Sequence, residues 1–204
     1  MLLSAPARTC AAIVAALAVL SLCLKFGITQ METGDRIAGV LWAQARYFTI
    51  LTNGLVAILF MAMVMAGRQV SDRLIAGLVL WIASVGLIYR LLLAELWEPQ
   101  GLQRIADQGV HAVVPMSVFL WWVIFARKND IGWLDPLRWL LWPLAYLAYA
   151  LVRGALDGVY PYPFLDPGRL APPQLVWNCA RLMEGFVGAG YLLFGATRLS
   201  PRPA

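Results

Sequence analysis

The chain contains one histidine, His111, in the apolar stretch GVHAVVP, and a second polar segment, RYFTILTN, runs from Arg46 to Asn53. A neutral imidazole accepts a proton, and a threonine hydroxyl is a weak nucleophile until a base removes its proton. Together the two segments hold the residue types for nucleophilic acyl transfer, with Thr49 or Thr52 as nucleophile and His111 as base. Pro115 follows His111 by four residues and has no N–H. The carbonyl of His111 therefore loses its helical partner, and the helix is expected to bend there. Each residue also has an ordinary use. Threonines in membrane helices commonly bond back four residues, here to Ala45 and Phe48, and a single buried histidine commonly serves as a hydrogen-bonded structural residue. One histidine does not make a metal site without several carboxylates beside it, so neither metal nor cofactor is expected.

Other polar groups stand in otherwise apolar surroundings. Arg90 closes one hydrophobic run. Tyr146, Tyr149, Arg153 and Asp157 recur at helical spacing in another, and Asn178, Arg181 and Glu184 open a third. At about 100° per residue, Arg46, Thr49 and Asn53 fall within about 60° of one another, with Thr52 about 60° further on. The pairs Arg153 with Asp157 and Arg181 with Glu184 have two readings: local ion pairs, or groups that orient the imidazole or hold an anionic head group.

The elements that position these groups are membrane helices. Hydrophobic residues make up 61% of the chain, charged residues 13%, and mean hydropathy is +0.72, outside the range of ordinary soluble domains. Runs of about 20 apolar residues span a bilayer. Six are expected, at 9–28, 47–67, 74–94, 108–126, 139–156 and 176–197. Residues 1–204 then form a single six-helix transmembrane domain, an all-α integral membrane bundle. LSLC before Leu24 resembles a lipoprotein cleavage site only faintly, because Leu22 is large for its place. Cys10, Cys23 and Cys179 lie in or beside spans with no CxxC, as buried free thiols do.

With six spans, Arg8, Arg68, Arg73, Arg127, Lys128, Arg138, Arg198 and Arg202 share one side, against Lys25, Arg36, Arg104 and Arg169 in loops or at a span end on the other. The basic excess places both termini in the cytoplasm. Trp42, Trp97 and Trp177 then sit near the outer interface, and Trp121, Trp122, Trp133, Trp139 and Trp142 near the inner one. The net charge of +5 suits anionic lipid and topology rather than nucleic acid.

In that orientation the polar residues of spans two to six gather in the outer half. Charged groups at such depth normally face a bundle interior or a wet cavity, so a polar pocket lined by as many as five helices is expected, with RYFTILTN as one wall. The segment GVYPYPFLDPGR after span five is stiffened by Pro161, Pro163 and Pro167, and reads either as a lid or as a tight connection.

YFTILTN, HAVVP and YPYPFLD together resemble the androgen-induced and androgen-dependent six-helix membrane proteins of animals and their bacterial relatives, and the last two elements are most similar to the bacterial branch. The resemblance implies an atypical threonine hydrolase of fatty acid esters of hydroxy fatty acids. It places the nucleophile at Thr49, after the aromatic pair Tyr47–Phe48, and the base at His111. Thr52 lies one turn deeper. Arg46, Asn53, Arg90, Arg153, Asp157, Asn178, Arg181 and Glu184 are the candidates for substrate contact, and Asp157 and Glu184 are those for orienting His111. The expected partner is a membrane lipid or fatty-acyl ester, and the expected location a bacterial plasma membrane. A non-catalytic lipid-binding or scaffold protein is the main alternative. A transporter fits less well, since the polar groups crowd one half and no inverted repeat is visible.

Overall fold

A computed structural model describes residues 2–96 and 98–199, so Trp97 and Arg202 lie outside the described residues. Apart from an isolated bridge between Leu2 and Arg68, its regular elements are all helical. Five helical segments are long and apolar enough to cross a membrane: Ala5–Thr33, Phe48–Ala66, Asp72–Leu93, Gly101–Phe125 and Asp135–Asp157. Where the sequence reads as one domain, packing gathers the chain into two compact units, Met1–Asp130 and Ile131–Ala204.

The first unit holds α1 (Ala5–Thr33), α2 (Ile37–Gln44), α3 (Phe48–Ala66), α4 (Asp72–Ile88), α5 (Gly101–Gln108) and α6 (Val114–Phe125). Its ends follow ordinary capping rules. Ser4 and Ser71 accept from the backbone N–H groups of Ala7 and Leu74, satisfying donors that have no helical partner. Gly67 ends α3 at φ 64°, a left-handed conformation that glycine adopts without steric cost. The Asp72 carboxylate accepts from the N–H groups of Asn129 and Asp130 and so ties the turn after α6 to the start of α4.

Lipid is as apolar as a leucine side chain, so close packing rather than water exclusion must hold such helices together. α1 presents Ala7, Ala11, Ala15 and Ala18, all buried, and packs most extensively on α3. The small face lets the backbones approach. Trp121 of α6 donates its indole N–H to the carbonyl of Ala7 at 2.9 Å, and its ring meets Phe60 edge-on at 5.2 Å.

Two of the membrane-length helices contain π turns. Tyr89–Leu93 extends α4, and Gly109–Val113 joins α5 to α6. The bend expected at Pro115 therefore takes the form of a widened turn, closed by the N–H of Val114 on the carbonyl of Gly109. A wide turn adds a residue and rotates everything beyond it, and such turns are frequent at functional sites.

The second unit holds α7 (Asp135–Arg138), α8 (Leu141–Asp157) and α9 (Pro172–Leu199). α9, with 28 residues, exceeds the length a bilayer needs, but Arg181, Glu184 and several glycines dilute its apolar surface and it is not one of the five. The proline-rich segment between α8 and α9 is held down within this unit. Asn178 donates to the carbonyl of Phe164 at 3.1 Å, and the ring of Tyr160 lies against Gly154, where any side chain would collide with it.

Candidate active site

The site is built in the first unit, where the start of α3 meets the π turn Gly109–Val113. Tyr47 is extended at φ −94°, ψ 132°, and α3 begins at Phe48, so Thr49 is its second residue. This corrects the expected stripe of Arg46, Thr49 and Asn53. Arg46 precedes the helix and is not in register with the other two, although it too is buried. Thr49 does not bond back to Ala45. Its Oγ1 lies 3.3 Å from Nε2 of His111. Thr52, one turn on, is fully buried.

His111 is held at both nitrogens. Nδ1 lies 3.1 Å from the carbonyl oxygen of Asp107 and 3.1 Å from its Oδ1. A carbonyl and a carboxylate only accept, so Nδ1 carries the proton in the neutral ring and Nε2 is left with a lone pair for the threonine O–H. Asp107 is buried, and Lys25 of α1 lies within electrostatic reach of its carboxylate. Asp107, His111 and Thr49 thus form one line of hydrogen bonds, the order in which an orienting acid, a base and a nucleophile are arranged.

Three further residues fix this line. The amide of Asn53 donates to the carbonyls of Thr49 at 2.8 Å and Val110 at 3.1 Å, joining α3 to the π turn. Its two donors are spent on these carbonyls, so it positions the nucleophile rather than serving an oxyanion. Gly86 of α4 faces the His111 carbonyl that Pro115 leaves without a helical partner, and a Cβ there would stand 2.7 Å from that oxygen. Tyr89 stacks on the imidazole with ring centroids 3.8 Å apart and planes 10° from parallel.

An open, mostly apolar groove of about 530 Å³ runs beside His111 and Tyr89, walled by Leu87, Pro115, Met116 and Phe119, with Arg90 also lining it. Of the expected site residues, the catalytic candidates Thr49 and His111 and the contact candidates Asn53 and Arg90 lie in or next to this region, and Arg46 lies just before α3.

The remaining candidates belong to the second unit. Arg153 is buried, donates to the hydroxyl of Tyr149 at 2.7 Å and pairs with Asp157 at 3.4 Å. Arg181 pairs with Glu184 at 3.6 Å, both side chains being well exposed, and its guanidinium lies 4.7 Å from the centre of the Trp177 ring. Asn178 serves the loop described above. The role of orienting His111, for which Asp157 and Glu184 are the sequence candidates, is taken by Asp107.

Asp107, Tyr89 and Gly86 are the members that sequence reasoning missed. For Asp107 a signal existed, since an acid and a histidine four residues apart share a helix face. Comparison with protein-family models, curated proteins and solved structures returned no match.

Proposed function

We propose that the chain is an integral-membrane lipid esterase that uses Thr49 as nucleophile and His111 as base on a fatty-acyl ester. The observation that carries this reading is the hydrogen-bonded line from Asp107 through both nitrogens of His111 to the hydroxyl of Thr49. The resemblance of YFTILTN and HAVVP to the membrane family whose animal members are threonine hydrolases points the same way.

In the reaction, Nε2 takes the proton of Thr49 as Oγ1 bonds to the ester carbonyl carbon, and the charge passes to the carbonyl oxygen. The backbone N–H groups of Thr49 and Ile50 lie in the first turn of α3, where no helical acceptor precedes them, and they can donate to that oxyanion. The imidazolium, facing the Asp107 carboxylate, then returns its proton to the departing alkoxide as the C–O bond breaks. Water, deprotonated by the same nitrogen, attacks the acyl carbon, and that nitrogen returns the proton to Oγ1 as the bond to Thr49 breaks and the fatty acid leaves. The apolar groove beside His111 takes the acyl chain.

In this proposal six helices span a bacterial plasma membrane, α9 being the sixth, with both termini in the cytoplasm and the site in the outer half. The test is fluorescent fluorophosphonate labelling of the purified protein in detergent. Labelling that is lost in Thr49→Ala and His111→Ala supports the reading. A folded protein that takes no label, yet binds lipid, favours the non-catalytic alternative.

A further inference from the structure

Tyr89 and His111 are stacked in a manner that neutral rings do not favour. Two neutral aromatic rings prefer edge-to-face or offset arrangements with centroids 4.5–7 Å apart, because their negative faces repel. Here the centroids are 3.8 Å apart and the planes within 10° of parallel. Such a close, nearly face-to-face pair becomes attractive when one partner is a cation, since the ring face then meets a positive charge. The imidazole of His111 is that partner whenever it holds the proton of Thr49.

We propose that Tyr89 is a positioning residue for His111, holding the ring with Nδ1–H toward Asp107 and Nε2 toward Thr49 and steadying the imidazolium formed during acyl transfer. The inference rests on the esterase reading for its catalytic consequence, though not for the tautomer and ring geometry. Two features of α4 support it. Gly86 and Tyr89 are three residues apart and grip the two ends of residue 111: the glycine its carbonyl oxygen, the tyrosine its ring. Tyr89 is also the first residue of the π turn that extends α4, and such turns are frequent at functional sites.

The groups around the imidazole are the Thr49 hydroxyl from α3, Tyr89 followed by Arg90 from the α4 extension, and Asp107 from α5, with Lys25 of α1 acting on Asp107. The Tyr89 hydroxyl is within reach of the Asp107 carboxylate, whose Oδ2 is buried and lacks a well-formed hydrogen bond. Tyr89 thus lies against the ring and near the acid that orients it.

Because His111 is the chain's one histidine, protein labelled with 15N-histidine and purified in detergent gives a single imidazole spectrum. In the wild type the ring protons are expected upfield, shifted by the Tyr89 ring current, and the nitrogen shifts those of the Nδ1–H tautomer. Tyr89→Phe keeps both. Tyr89→Leu loses the upfield shift, populates both tautomers and labels with fluorophosphonate about tenfold more slowly or worse. Unshifted ring protons in the wild type overturn the proposal without need of any variant. So does a Tyr89→Leu protein that keeps the tautomer and the labelling rate, or a Tyr89→Phe protein as impaired as Tyr89→Leu. If the wild type takes no label while Tyr89→Leu still scrambles the tautomer, the positioning role stands and the esterase reading falls.

Discussion

Asp107 places Oδ1 3.1 Å from Nδ1 of His111, and the two residues are one helical turn apart on the stretch where α5 widens into the π turn. The carboxylate is nearly fully buried and has one oxygen without a well-formed hydrogen bond. A buried charge of this kind is costly to a fold, and its benefit lies in what it does to the imidazole.

That imbalance separates activity from stability. In Asp107→Asn a neutral oxygen remains available to Nδ1, but the charge opposite the imidazolium is gone. Fluorophosphonate labelling is expected to slow by about 10²-fold, while thermal unfolding in detergent moves little or shifts upward. A variant that loses activity and stability in parallel would make Asp107 a structural residue instead.

The two threonines of YFTILTN make separable predictions. Thr49→Ser retains a hydroxyl at the second position of α3 and is expected to label, whereas His111→Ala slows labelling by about 10² to 10⁴-fold. Thr52→Ala removes a buried hydroxyl one turn away and leaves labelling in place. Mass spectrometry of the labelled peptide locates the adduct, and an adduct on Thr52 reverses the assignment.

The helical character and the segments long and apolar enough to cross a membrane were legible because runs of about 20 apolar residues have few other uses. His111 drew attention as the chain's one histidine, and it was the family resemblance that singled out Thr49 from Thr52. Asp107 was not legible, since the ADQ before GVHAVVP reads as a polar connection, and the span drawn from Gln108 excluded it. Gly86 and Tyr89 carried no signal in hydropathy. A glycine and an aromatic are unremarked in an apolar helix until the fold sets them against a carbonyl and an imidazole. The π turns are similarly silent, although Pro115 announced that a carbonyl would be released. The run 176–197 read as a sixth span, yet α9 is not among the five helices apolar enough to cross a membrane, because its charges and glycines dilute the pattern.

Gly86 supplies a prediction from shape alone. In Gly86→Ala the new Cβ would lie 2.7 Å from the His111 carbonyl oxygen, and a backbone atom yields less readily than a side chain. Destabilisation of about 1–3 kcal/mol is expected from such overpacking, together with slowed labelling as His111 is displaced from Thr49. Gly54→Ala is the control. Its Cβ would meet nothing within 4 Å, so thermal unfolding should stay the same or rise slightly, as alanine suits a helix better.

The last prediction concerns Asn53 and Pro115, which act on the same released backbone. In an unbroken α-helix the carbonyl of Val110 would accept from Val114, but that N–H goes to Gly109, and Pro115, next in line, has none to offer. Val110 is buried, and the amide of Asn53 meets its carbonyl at 3.1 Å. Asn53→Leu leaves that oxygen unsatisfied, at a cost of about 1–3 kcal/mol, and frees the π turn to tighten and carry His111 away from Thr49. Pro115→Ala restores a donor to the turn and lets the chain return to an ordinary helix. In the double variant the carbonyl therefore has another route to satisfaction, and Asn53→Leu should cost less stability in the Pro115→Ala background than alone, by about 0.5 kcal/mol or more. Labelling should not return with stability, because an ordinary helix places His111 about 100° from its present direction. Simple additivity, measured by unfolding in detergent, would show that Asn53 and Pro115 do not share this carbonyl.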